Sequence, residues 1–193
     1  MSAEVAAAPT IVVEEPGLQT TVQDSQGRLG FWMVGVPPSG AMDAHSLDLA
    51  NRMVANEANA AGLECTVTGP TLRFREAAVV ALAGAEMTAA IDGYPIPFWQ
   101  PIPVAAGSIL TIGALAGPGM RAYRAVRGGI DGPVVLGSRA TFTVGNFGGH
   151  CGRTLAVGDE LAVGHDVSDL GPSPLPPQTT PRIGRSWTLA ATE

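Results

Sequence analysis

The chain has 193 residues, 46% of them hydrophobic, enough to bury the core of one main domain. Its formal net charge is -6 and it has no extended basic run, which argues against a nucleic-acid partner. The longest apolar run, Ala77 to Ala85, is too short to span a bilayer, and the opening MSAEVAAAPT has an acid at Glu4 and no basic n-region, so neither a membrane span nor a signal peptide is expected.

Cys65 and Cys151 carry no spacing signal and fit a reduced, cytoplasmic protein. The 25 Gly and 16 Pro are scattered rather than repeated, which argues many turns between short strands. Thr10 to Val13 reads as the first strand. Gln23 to Gly30, QDSQGRLG, reads as a turn-rich loop. The stretch Gly35 to Asn51, GVPPSGAMDAHSLDLAN, then delivers the chain into a helix expected over Asp43 to Val54. Pro37 and Pro38 fix φ, Gly40 can take positive φ, and Asp43 suits an N-cap. Leu47, Ala50 and Val54 recur at helical spacing. Asn51 follows Leu47 by one helical turn and so falls on the same buried face. Its amide needs partners, expected among backbone groups of the loop just before the helix. That lock is either purely structural or makes the loop one wall of a small polar pocket.

Further strands are expected at Thr71 to Phe74, at Ala78 to Ala83 (buried on both faces), and at Met87 to Ile91 and Tyr94 to Ile96, which bracket the hairpin signal Asp92-Gly93. Ser108 to Ile112, Met120 to Val126 and Glu160 to Val163 complete the set. One helix among many short strands suggests an antiparallel barrel or compact sandwich. From Pro172 to Pro181 five of ten residues are proline, which suits an extended linker, and Ser186 to Ala190 reads again as a strand.

The chemistry is less local. There is no P-loop, Rossmann fingerprint, HExxH or CxxC. His45, His150 and His165 are isolated in sequence, so no metal is expected in this chain. Ser39 lacks the strand–GxSxG–helix setting of a hydrolase nucleophile. Four Gly-rich loops stand out: QDSQGRLG, GVPPSGAMD, VRGGIDGPVVLGSRATF and GNFGGHCGR. Glycine admits close approach of a ligand to backbone, and Arg28, Arg139 and Arg153 can donate forked hydrogen bonds to carboxylate or carbonyl oxygen. Each arginine alone is more often a solvated or loop-tethering residue.

On these loops the sequence resembles the carboxyltransferase part of urea carboxylase, the biotin-dependent carboxyltransferase family that includes allophanate hydrolase subunit 2. The resemblance lies in TTVQDSQGRLGFWMVGVPPSGAMD, LANRMVANEANAAGLE, TGPTLRF, RAYRAVRGGID, LGSRATFTVGNFGGHCGR and the GDEL of Gly158 to Leu161, and spans Ile11 to Gly164. The extra residue in QDSQGR, with VPPSG and NFGGHCGR, resembles the urea carboxylase branch more than the 5-oxoprolinase one. The resemblance implies a mainly β, cyclophilin-like antiparallel β-barrel with one or two short helices. It divides the chain into a flexible N-terminus (1–10), a carboxyltransferase domain forming the first half of the family unit (11–171), and a Pro-rich linker opening a truncated second half (172–193).

It also implies a reaction. ATP and bicarbonate carboxylate biotin on separate domains, a biotin carboxylase and a biotinyl carrier, and the carrier brings carboxybiotin to the transferase, where the carboxyl group passes to urea or a related small amide. Urea must be positioned, its oxygen met by donors, its NH2 groups by acceptors, and a proton removed from the attacking nitrogen. The expected substrate-binding residues are Arg28, Asp43, Asn51, Arg139, His150 and Arg153, with the base unassigned. A subunit-1-type partner is implied, and the isolated chain is expected to be inactive. The alternative is a subunit of an ATP-dependent 5-oxoprolinase or allophanate hydrolase-type complex, or a non-catalytic regulatory binding subunit.

Overall fold

The computed structural model describes residues 10–165, 169–186 and 188. Among these residues twelve strands and one α-helix form three layers, sheet on sheet with the helix outside. In chain order the strands are β1 (Thr10–Glu15), β2 (Gln19–Gln23), β3 (Gly62–Thr66), β4 (Thr71–Phe74), β5 (Ala78–Gly84), β6 (Met87–Ile91), β7 (Tyr94–Pro95), β8 (Pro101–Val104), β9 (Ile109–Leu115), β10 (Arg121–Val126), β11 (Ile130–Asp131) and β12 (Glu160–Val163), with α1 (Ala44–Met53) between β2 and β3. One sheet runs β11-β12-β1-β4-β9-β6-β7 and the other β2-β3-β10-β5-β8, with every pairing antiparallel. The mainly β, antiparallel expectation holds, but the strands form two sheets that are not closed into a barrel.

Alternation along the strands explains the layering. On β5, Val80 and Leu82 face the inter-sheet core with Leu72, Phe74, Leu110 and Ile112 of the opposite sheet. Ala81 and Ala83 face the other way and, with Ala125 of β10, meet Ala50 and Met53 of α1. Alanine at all three sheet positions gives the helix a flat seat. The helix begins where Asp43 caps it, its Oδ1 accepting from Ser46 N at 3.0 Å and its Oδ2 from Ser46 Oγ at 2.5 Å. Leu47, Ala50 and Val54 are fully buried, as their spacing requires.

The hairpin at Asp92-Gly93 has φ of +50° and +82° at its two central residues, the backbone a two-residue turn of this twist demands. Four strands, β2, β3, β8 and β11, were not expected, and β8 and β2 show why. β8 reads PIPV, and proline cannot donate to a ladder; β8 sits at a sheet edge, where its outer side needs no donors. β2 merges into the polar loop after it and lacks clean alternation, being buried from Thr20 to Gln23.

The proline-rich tail is held against the body. Ser173 N donates to Met53 O at the end of α1 (3.0 Å), and Leu175 packs on the alanine cluster beneath the helix. Ile183 and Ser186 line a cavity of about 480 Å3 with Met42, Asp43, Arg121 and Tyr123, at the other end of α1. The expected strand Ser186 to Ala190 falls largely outside the described residues. So does the expected flexible segment 1–10, apart from Thr10, which starts β1. Among the described residues no helix is long and apolar enough to cross a membrane.

Candidate functional site

Three of the Gly-rich loops meet at a residue the sequence reading passed over, Asp24. Its carboxylate is 3% exposed. Oδ1 accepts from Gly27 N at 2.7 Å, and Oδ2 accepts from Ser138 Oγ and from Arg139 N, both at 2.7 Å. Its backbone carbonyl accepts from Ala41 N at 2.8 Å. One aspartate therefore joins the QDSQGR turn, the entry to α1 and the LGSRA loop. Arg28 reinforces the junction. Its Nη2 donates to Ala140 O and its Nε to Val135 O (3.4 Å), while the guanidinium lies 5.0 Å from the Phe147 ring centroid. Burial lowers the Arg28 pKa from its usual range, with Asp24 opposing. Gly27 is required here, since with φ at +65° a Cβ would stand 2.3 Å from Pro38 O.

Beside this junction opens a polar cavity of about 560 Å3, lined among others by Asn56, Glu57, Asn59, Asp131, Arg139 and His165. Arg139 is the one expected site residue that lines it. Its Nε donates to Gly132 O (3.1 Å) and its Nη2 to Asp131 Oδ1 (3.2 Å). Asn51 stands behind the wall. Its Nδ2 donates to Ala58 O (3.0 Å) and Ala60 O (2.8 Å), and its Oδ1 accepts from Asn56 Nδ2 (3.1 Å). The locked loop is thus the one after the helix, contrary to the expectation of the one before it, because the buried face of α1 near its C-terminal end looks onto 54–61. That loop does form a wall of the polar cavity. Asn56 ties it to β10, donating to Val126 O (2.7 Å) and accepting from Gly128 N (2.8 Å).

The remaining expected residues lie in two other places. Arg153 grips Asp159 through two hydrogen bonds of 2.7 Å, and His150 Nε2 lies 3.3 Å from the same carboxylate. That pairing with Arg153 above all holds the Asp159 carboxyl down at about 2. Asp43 is occupied as the cap, and its N–H donates to Tyr123 Oη at 2.7 Å. Tyr123 Oη in turn donates to Glu64 Oε2 at 2.9 Å. Burial first, then Glu64, pushes the Tyr123 phenol up.

The cavity can hold a small polar, neutral group. Arg139 supplies donors for an oxygen, and the Glu57 and Asp131 carboxylates supply acceptors for N–H groups. Asp24 was findable in part, because aspartate three residues before a glycine is a local turn signal. Asn56, Glu57 and Asp131 had no such signal, since the cavity joins a helix exit to a strand exit far along the chain.

Residues 34–193 match the family model described as "Carboxyltransferase domain, subdomain A and B". The chain belongs to that family. Among its relatives, the urea amidolyase of Saccharomyces cerevisiae is 42% identical over 191 residues, covering 95% of this chain and 10% of that protein. A 5-oxoprolinase subunit of Escherichia coli is 41% identical over 153 residues, covering 79% of this chain and 49% of that protein. The crystal structure of the Kluyveromyces lactis urea carboxylase superposes with a TM-score of 0.86 at 40% identity, covering 94% of this chain and 17% of that one. The chain thus spans about a tenth of the urea amidolyase's length and about half of the 5-oxoprolinase protein's.

Proposed function

We propose that this chain is a component of a biotin-dependent carboxyltransferase that passes a carboxyl group to urea or a related small amide. The observation that carries the reading is near-complete coverage of the chain by urea amidolyase and urea carboxylase relatives at about 40% identity. The polar cavity supports it. Biotin's ureido ring and urea share one acceptor oxygen and N–H donors, a pattern that Arg139, Glu57 and Asp131 match, in a volume of about 560 Å3 that suits small-molecule sites. Bound biotin supplies the transferable carboxyl group. The chain's own residues orient the acceptor: Arg139 holds its oxygen, and the Glu57 and Asp131 carboxylates receive its N–H groups. Arg28 and Asn51 hold the surrounding loops. Asp43 caps α1, and His150 and Arg153 hold Asp159, away from this cavity.

In this reading biotin carboxylase, the biotinyl carrier and a subunit-1-type partner are supplied by other domains or chains. ATP binds on the biotin carboxylase, and the assembly works in the cytoplasm. A second reading, a component of an ATP-dependent 5-oxoprolinase, is favoured by the match to the Escherichia coli 5-oxoprolinase protein. The test is Arg139→Ala in the assembled enzyme. Allophanate formation at urea concentrations below KM should fall about a hundredfold, chiefly through a higher KM, while biotin carboxylation is unchanged, the size expected for losing a hydrogen bond from a charged donor. Wild-type transfer by a folded Arg139→Ala assembly would contradict the assignment.

A further inference from the structure

We propose that Asp24 is a positioning residue that acts on the polar cavity through Arg139; the inference rests on reading that cavity as the substrate site. A carboxylate as buried as Asp24 must be fully paired, and it is: three donors within 2.7 Å occupy its two oxygens. Two of the three come from Ser138 and Arg139, more than a hundred residues away in sequence. The bond to Arg139 N fixes the main chain of a residue that lines the cavity. Ser138 Oγ also accepts from Ala140 N at 2.9 Å, so the same contact sets the turn on both sides of Arg139. Past that turn, Gly149 N donates to Arg139 O at 3.0 Å. The Arg139 backbone is therefore held at both polar atoms, and its guanidinium is steered by Asp131 and Gly132 O. The anchor on Asp24 is the charged one, and bonds to a charged group are stronger than neutral ones.

Replacing this carboxylate by an amide of the same shape puts an NH2 group where one oxygen accepted. Ser138 can rotate its hydroxyl to accept instead. The N–H groups of Gly27 and Arg139 cannot, so at least one faces another donor. If Asp24 acts by aiming Arg139, its loss weakens substrate holding in the ground and transition states alike, which raises KM and leaves kcat nearly unchanged.

The test is a double-mutant cycle in the assembled enzyme. Asp24→Asn should raise KM for urea about tenfold with little change in kcat, and it should add nothing further in an Arg139→Ala background. Ser138→Ala, a milder change, should shift KM in the same direction by less. Equal effects of Asp24→Asn with and without Arg139, or a loss confined to kcat, would overturn the inference. The second measurement needs no activity: solvent exchange of the Arg139 Nε–H by NMR in the 193-residue chain. Asp24→Asn, or Ser138→Ala should the first variant not fold, is expected to speed that exchange while amides of β5 and β10 keep theirs. An unchanged Arg139 signal in a folded variant overturns it as well. A wild-type assembly that makes no allophanate would overturn the proposed function, and the NMR result would still decide the role of Asp24.

Discussion

At Arg124 a guanidinium occupies the inter-sheet core, on the same face of β10 as Ala122 and Val126 and 5.9 Å from the Phe74 ring centroid. It is fully buried, and among the described residues Nε, Nη1 and Nη2 all lack a hydrogen-bond partner. Burial draws its pKa down to about 10, with the Cys65 thiol opposing. Such a charge weakens the fold, so Arg124→Met should raise stability by about 1–4 kcal/mol, read as a higher midpoint in guanidinium chloride. A lower midpoint would mean that the guanidinium has partners the structure does not show. A second residue-scale prediction concerns Asp159. Its carboxyl lies below the ordinary 3.8, at about 2, so the folded state holds the charged form. The stabilisation is full above about pH 4 and is lost as pH falls towards 2. The stability difference between wild type and Asp159→Asn should therefore be greatest above about pH 4 and shrink below it; a difference that grows on acidification would contradict the pairing. Neither residue's role was legible in sequence. Arginine in a strand reads as solvent-facing, and Asp159 was seen only as part of GDEL.

Among the elements, α1 was legible almost to the residue, because its signals are local: a capping aspartate and apolar residues one turn apart. The Asp92-Gly93 hairpin was legible for the same reason. Proline hid β8, whose place at an edge is a property of the sheet and not of the segment. The tail shows the opposite effect. Its composition suits an extended linker, yet Leu175 finds the alanine floor beneath α1 and Ser173 N meets the carbonyl of Met53. Because the tail contacts both ends of α1, and α1 carries Asn51 and leads into the loop that walls the polar cavity, the tail braces that loop. Leu175→Asp should cost about 2 kcal/mol, lower the thermal midpoint and speed amide exchange in residues 54–61. Unaltered exchange in that loop would show the tail to be a passive covering.

For the whole molecule, the four Gly-rich loops stand out in sequence, but motif and chemical type alone do not show which of their residues share a cavity. Of the six expected residues, the structure places Arg139 in the lining of the polar cavity and sets Arg28 and Asn51 to holding loops around it. The cavity's other lining groups come from β10–β11, the end of β12 and the helix exit, a juxtaposition that only the three-layer packing creates. The central claim is that this packing serves carboxyl transfer to a urea-like acceptor. Its most direct test follows labelled bicarbonate into allophanate, with ATP, urea, a biotin carboxylase, a biotinylated carrier and the subunit-1-type partner, with and without this chain in its carboxyltransferase unit. Labelled allophanate is expected only when the chain is present, and none from the chain alone. Allophanate formed at the same rate without it, or 5-oxoproline-dependent ATP hydrolysis in place of any urea-dependent product, would contradict the claim.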